Sequence, residues 1–261
     1  MNRALSVAST GLAAQQLSVE VIANNLANVS TVGFKKSNWD FQDLLYQTLK
    51  VPGTTTDIGT TPVGIQIGSG VRAVAVHRNF KQGDFQDTQS PFDLAIEGEG
   101  FFQLTLPDGT TAYTRTGSFQ LDSEGNMVTA EGYPILPNIS IPTNVLTLTI
   151  DPDGDVFALT PGNADPTLVG SIELARFANP AGLNSLGKNL FQETAASGTG
   201  TTGTPGLDGF GSLLQGSLEG SNVNIAEEMV NMIVAQRAYE LNSKAIQTTD
   251  EMLSVANNLK R

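Results

Sequence analysis

Residues 4–29, ALSVASTGLAAQQLSVEVIANNLANV, repeat their apolar positions every seven residues. Leu5, Leu12, Val19 and Leu26 form one row, and Ala8, Gln15, Ile22 and Val29 form a second, three places behind. Ala4, Gly11, Ser18 and Asn25 add a row of small side chains beside them. The other end of the chain carries the same period. In residues 225–259 one row runs through Ile225, Met232, Tyr239, Ile246 and Leu253, and a companion through Ala238, Ala245, Met252 and Leu259. Heptads mark helices that bury one stripe against another helix. Each buried Leu, Ile or Met of such a row is worth roughly 1.5–3 kcal/mol. A lone helix has nothing to bury its stripe against and is marginal in water. The ends therefore pair with each other, and their flanking faces pack on copies of the same chain. Head-to-tail contacts of that kind build an open helical filament.

The helix boundaries are written locally. The first helix is predicted from about Asn2 to Asn28. Gly11 costs it roughly 1 kcal/mol relative to Ala, which implies a packing reason for so small a residue. Asn24, Asn25 and Asn28, followed by Gly33, weaken the helix and end it. The second helix is predicted from Ile225 to Leu259. Asn224 is its N-cap, with Glu227 three residues on. Glu227 and Glu228 suit the positive end of the helix dipole, and Lys260 and Arg261 the negative end.

Between the helices the pattern changes. Trp39, Phe41, Leu44, Leu45, Tyr46 and Leu49 supply apolar anchors, and VPGTTTDIGTTP (51–62) then reads as a loop or extended excursion. From about Ile65 to Glu219 short β runs follow one another: DLAIEG, FFQLTL, AYTR, SFQLD, MVTA, LTLTI, DVFALT, SIELARF and LFQE. Asp108-Gly109 between FFQLTL and TAYTR is a hairpin turn, and Glu124-Gly125-Asn126 and Asp153-Gly154 read the same way. Residues 194–211 are a low-complexity loop.

Composition narrows the function. The formal net charge is −12, which argues against nucleic-acid binding. There is no cysteine and one histidine, so thiolate chemistry is excluded and few nucleophile–base pairs can be built. His77 reads as a solvated strand-end residue. Asp151, Asp153 and Asp155 start like a calcium loop, but Val156 and Gly162 stand where that loop wants Gly and Glu. Gly98-Glu99-Gly100 lacks the third glycine of a dinucleotide fingerprint and reads as a bend. No catalytic, metal or cofactor site is nominated. No run approaches the roughly 18–20 apolar residues of a membrane span. The N-terminus lacks the continuous apolar region of a cleavable signal peptide.

Specific motifs add a resemblance. Ser9-Thr10-Gly11-Leu12, Ala23-Asn24-Asn25-Leu26-Ala27-Asn28 and Thr31-Val32-Gly33-Phe34-Lys35-Lys36 resemble the N-terminal signature of the bacterial flagellar rod and hook family. Ser221-Asn222-Val223-Asn224, Glu227-Glu228-Met229-Val230-Asn231-Met232-Ile233 and Gln236-Arg237-Ala238-Tyr239-Glu240 are similar to its C-terminal signature. GEGFF (98–102) and YTRTGSF (113–119) are similar to its central β module. YQTLKVPGTTTDIGTTPVGIQIGSGV (46–71), with Tyr46, Pro52 and Pro62, resembles the insertion that distinguishes the distal-rod branch.

The resemblance implies an α+β chain. Residues 1–33 and 221–261 would form a coiled-coil polymerisation domain lining a channel. Residues 34–70 would connect, with the stiffening insertion at about 46–64, and 71–220 would be an antiparallel β-rich outer domain. It implies a structural subunit without cofactors or enzymatic activity, in a homopolymeric shaft that spans the periplasm and carries torque. Its partners would be proximal rod proteins, hook or hook–rod junction proteins, the surrounding outer-membrane and peptidoglycan rings, and the flagellar type III export apparatus. A proximal rod or short hook protein is the alternative within the family. An exported β-rich adhesin with multimerising helical ends is the alternative outside it.

Overall fold

A computed structural model describes residues 2–53, 55–56, 59–60, 62–142, 144–162 and 165–258. Leu259, Lys260 and Arg261, expected to close the second helix, lie outside the described residues, as do Thr54, Asp57, Ile58 and Thr61 of the insertion. The fold is α+β, with a helix near each end and a β-rich body. It divides into two compact units, one of residues 1–27, 37–77 and 224–261, the other of residues 28–36 and 78–223.

The first unit holds helix α1 (Asn2–Ala27) and helix α2 (Ile225–Asn258). The Asn224 side chain caps α2, its Oδ1 accepting from the Ala226 and Glu227 amides at 3.0 and 3.3 Å. α1 packs along α2. Strand Ser37–Asp43 pairs with strand Val71–Arg78 in a two-stranded sheet. The segment between them, expected to be a loop or an extended excursion, is extended and strand-paired. Tyr46–Lys50 and Ile65–Gly68 form an antiparallel ribbon, with Thr55–Thr56 paired to Gly59–Thr60 beyond it. The β-branched threonines favour extended backbone, and Gly53 turns at φ 82°. The expected anchors are not buried: Leu45 is 89% exposed, and Tyr46 and Leu49 are each 56% exposed. A two-stranded ribbon has two faces, and among the described residues of the unit nothing covers either at these positions.

The second unit is built on a seven-stranded sheet. Phe101–Thr105 lies centrally, flanked by Thr111–Thr114 and Leu174–Arg176, with Ile135–Leu136 also pairing to it. Asp108-Gly109 makes the hairpin between the first two strands, with Gly109 at φ 80°. Gly125 and Gly154 hold positive φ in the turns joining Phe119–Leu121 to Met127–Thr129 and Thr147–Ile150 to Asp155–Leu159. Leu94, Phe102, Leu104, Met127, Ile135 and Ile172 are completely buried in one apolar core. A second cluster stacks Phe101, Tyr113, Phe177 and Phe191 edge to face, with Phe80 against it. Among the described residues no helix is long and apolar enough to cross a membrane.

Candidate assembly surfaces and the buried charge cluster

The helix pair distributes its rows unevenly. Ile22 is fully buried, while Leu5, Leu12, Val19, Leu26, Met232, Ile246 and Leu253 are half-buried. Ile225 and Tyr239 stand 50% and 44% exposed. The closest approach belongs instead to small and polar residues. A Cβ on Gly11 would sit 3.0 Å from the Asn242 side chain, which accounts for glycine at that position. Ser18, Asn25, Glu228, Ala235 and Thr249 are all buried. The Asn25 amide donates to Glu228 Oε2 at 3.1 Å and to the Ser37 carbonyl at 2.9 Å, and its Oδ1 accepts from the Ser37 amide. Hydrophobic periodicity alone cannot find this seam, because its side chains are small or polar and include no large apolar residue on either helix.

Outside that seam α2 carries an uncovered apolar face. Met229, Val230, Ile233, Val234 and Leu241 are 52–68% exposed. An open cleft of about 360 Å³ lies along the two helices, lined by Gln16, Val19, Gln236, Tyr239 and Glu240. Arg237 pairs with Glu240 at 2.8 Å in the open. Asn24 lies on the exposed surface of α1. Pro52 packs under Gly64, where a Cβ would collide with its ring, and Pro62 is exposed.

The remaining signature residues sit where the chain enters and leaves the β unit. Asn28 accepts from the Thr31 hydroxyl at 3.2 Å. Gly33, at φ 68°, lies so close to Thr116 that no Cβ would fit, and its amide donates to the Glu219 carbonyl. Phe34 is buried under the Arg78 guanidinium, 5.3 Å from the ring centre. Asn222 accepts from the Lys36 amide and donates to the Asn79 and Lys81 carbonyls, all within 2.9 Å. Ser221 accepts from the Val223 amide, and Val223 is buried.

These contacts surround a buried charge cluster that sequence reasoning missed. The Glu219 carboxylate meets Lys35 Nζ at 2.6 Å and Arg115 Nε at 3.0 Å, and also accepts from the Gly83 amide. Lys35 donates further to the Lys81 carbonyl. Arg115 donates to the Gly98 and Gly100 carbonyls, which the positive φ of both glycines turns toward it. The GEG bend is thus an acceptor for a guanidinium. Burial pushes the Lys35 ammonium below its ordinary value; Glu219 pulls it back up, and the Arg115 charge adds to the lowering. Positions 35, 115 and 219 are remote in sequence and share no period, so no local signal marks them. Lys35 and Arg115 lie inside quoted motifs, but neither motif indicates a buried charge. His77 and Asp40 pair at 3.2 Å in a solvent-accessible position, and among the described residues no group of acidic or histidine side chains could hold a metal.

Known proteins match the whole chain. Residues 5–35 match the family described as flagella basal body rod protein, and residues 214–259 the flagellar basal body rod FlgEFG protein C-terminal region. Residues 95–158 match the flagellar hook protein FlgE/F/G D1 domain. The flagellar basal-body rod protein FlgG of Borreliella burgdorferi is 53% identical over 100% of both chains. The FlgG of Buchnera aphidicola is 53% identical over 98% of both, and that of Caulobacter vibrioides 49% identical over 99% of both. Glycines, asparagines and capping residues that the fold requires thus fall within segments matched end to end. The chain belongs to the flagellar basal-body rod proteins of the rod and hook family and is a structural subunit of the flagellar rod.

Proposed function

We propose that this chain is the distal rod subunit, polymerising into a rigid hollow shaft that transmits torque from motor to hook and catalyses nothing. The observation that carries this reading is the uncovered apolar face of α2, where Val230, Ile233, Val234 and Leu241 remain 56–68% exposed on a helix that is already paired. Removing such surface from water is worth about 25 cal/mol per Å², and further copies of the same chain are the occupants that a filament supplies. The helix pair is then the coiled-coil polymerisation domain, formed by residues 1–33 and 221–261 and lining the channel. Leu5, Leu12, Val19, Ile22, Leu26, Met232, Ile246 and Leu253 serve its interior, and Ile225 and Tyr239 its contacts with neighbours.

The ribbon of residues 46–68 serves stiffness. Two strands alone are marginally stable, and Val63, Ile65 and Ile67 are 75%, 53% and 42% exposed on it. Neighbouring subunits cover these residues in the shaft, with Pro52 and Pro62 limiting the bending of the insertion. The partners are copies of the chain, proximal rod proteins below, hook or junction proteins above and the rings around, after export through the type III apparatus without cleavage.

Electron microscopy of the concentrated, purified chain tests the proposal. Straight filaments are expected, and deletion of residues 51–61 yields chains with an intact β unit that form curved or irregular filaments. Discrete oligomers that bind a surface ligand would make the chain an adhesin, and curved filaments from the full chain would place it with the hook.

A further inference from the structure

We propose that the cavity beside Arg115 in the β unit is a docking pocket for an acidic side chain of a second copy of this chain. The cavity measures about 290 Å³, and the described residues that line it all belong to the β unit. Phe80, Phe101 and Phe177 give it aromatic walls, with Phe101 and Phe177 meeting edge to face at 5.8 Å. Lys81, Arg115 and Arg176 give it three cations, and among the described residues Glu99 is the acid of the lining. The volume lies at the bottom of the roughly 300–1,000 Å³ range of small-molecule sites. It suits one or two side chains better than a cofactor.

The charges around this cavity do not balance. Arg115 is 4% exposed and shares the Glu219 carboxylate with the fully buried Lys35, so two buried cations answer to one carboxylate. Burial pushes the Arg115 guanidinium below its ordinary value; Glu219 first, and Glu99 after it, pull it back up. Arg176 donates to the Asp208 and Gly209 carbonyls, which carry no net charge. Among the described residues no carboxylate forms an ion pair with Arg176 or with the exposed Lys81 ammonium. Glu99 stands exposed at the mouth and forms no ion pair with any of the three. Setting Lys35, Lys81, Arg115 and Arg176 against Glu99 and Glu219 leaves two positive charges over. A partly buried surplus of charge is costly until a counter-charge shares it.

The rest of the chain supplies that counter-charge. It carries 26 Asp and Glu against 14 Lys and Arg, a formal net charge of −12. Copies therefore repel one another at long range, and a cationic recess on one copy is where the acid of the next approaches favourably. A carboxylate on a short methylene stem suits both parts of the cavity. The phenylalanine walls take the stem, and the guanidinium and ammonium groups take the oxygens. The inference rests on the polymer reading proposed above. To the apolar contacts of α2 it adds a charged contact made by the β unit.

The test uses filaments grown from equal parts of unlabelled and heavy-nitrogen-labelled full chain. A water-soluble carbodiimide joins an amine to a carboxylate only where the two touch. Peptide mass spectrometry is expected to find Lys81 joined to an Asp or Glu in pairs that combine a labelled with an unlabelled peptide. Lys81→Glu sets like charges together across the contact and is expected to raise the critical concentration for assembly about tenfold or more. The urea midpoint of the β unit stays in place, because the Lys81 side chain is exposed and pairs with nothing in its own chain. Lys81→Arg keeps the charge and holds the critical concentration within about twofold. Glu99→Gln removes the competing acid and lowers it about twofold or more. Filaments without a Lys81 link, or with Lys81 joined only within its own chain, overturn the pocket and leave the polymer reading intact. So does a Lys81→Glu chain that assembles at the parent concentration, one whose assembly weakens only along with a lowered urea midpoint, or a Glu99→Gln chain that assembles no more readily than the parent. A parent chain that forms no filament removes the polymer reading and the inference with it.

Discussion

The β unit and the helical unit handle their apolar residues in opposite ways. In the β unit Leu94, Phe102, Leu104, Met127, Ile135 and Ile172 are fully buried, and even the charged Lys35, Arg115 and Glu219 are enclosed and paired. In the helical unit Leu45, Val63, Val230, Val234 and Leu241 are each more than half exposed. One unit encloses a closed core, with Leu146, Leu168 and Leu207 left exposed at its surface. The other has spent its closest packing on a narrow seam of Gly, Ser, Asn, Ala and Glu and presents its larger hydrophobics outward. A narrow seam made of small residues is what leaves them available: it joins the two helices without consuming the Ile, Val and Leu that are proposed to hold copies together. Stability and assembly are therefore separable by residue.

The largest break in that comparison comes from the β unit. Glu219→Ala leaves the Lys35 and Arg115 charges buried without their carboxylate, and costs about 3–5 kcal/mol. Phe102→Ala, in the centre of the sheet's core, costs a similar 3–5 kcal/mol. Near-ultraviolet circular dichroism of Tyr113 and Tyr133 during urea unfolding, in a background carrying Tyr46→Phe and Tyr239→Phe, reads both. The sole tryptophan, Trp39, belongs to the helical unit and reports its unfolding separately by fluorescence. An unchanged urea midpoint for Glu219→Ala would show that the charge cluster contributes nothing. Replacing all three members with apolar residues, Lys35→Met, Arg115→Leu and Glu219→Leu, recovers much of the loss, since a buried ion cluster is costlier to break than to remove.

A middle-sized effect is expected at the start of α2. Asn224 Oδ1 accepts from two amides of the first turn, so Asn224→Ala costs about 1 kcal/mol. The loss falls on helix content and on the Trp39 signal and leaves the tyrosine signal in place. An equal loss in both signals would mean that the two units unfold as one.

Much of this contrast was legible in the sequence, and the illegible part has a common cause. Asn224 as N-cap, the Asp108-Gly109 hairpin and the span of both helices each depend on neighbours within a few residues, and local pattern found them. The row Ala4, Gly11, Ser18 and Asn25 was visible as a site of close approach, but its counterpart Glu228, Ala235, Asn242 and Thr249 was not. That row contains no large hydrophobic residue, and its meaning exists only once the facing helix is known. Glu219 is harder still: it joins segments near residues 33–35, 83 and 115, and no short window of sequence contains two of those three segments. The threonine-rich insertion reads as a loop or extended excursion because composition shows that it buries little; strand pairing needs no burial, so composition does not reveal it.

The smallest effect on the monomer sharpens the comparison most. Ile233 is 56% exposed, so Ile233→Ser changes the stability of the isolated chain by no more than about 0.5 kcal/mol, as surface substitutions generally do. In the proposed filament the same side chain is one of the apolar groups that neighbours would cover, and its removal would multiply over every subunit. The critical concentration for assembly, measured by sedimentation, is therefore expected to rise about tenfold or more from the loss of roughly 1.5–3 kcal/mol of burial per contact. Arg237→Ala, which breaks only the exposed pair with Glu240, moves neither quantity beyond a few tenths of a kcal/mol in its direct ion-pair contribution. If Ile233→Ser lowered monomer stability as much as Phe102→Ala and left the critical concentration unchanged, the face would be a core surface of the chain itself, and the division between a finished unit and an open one would fail.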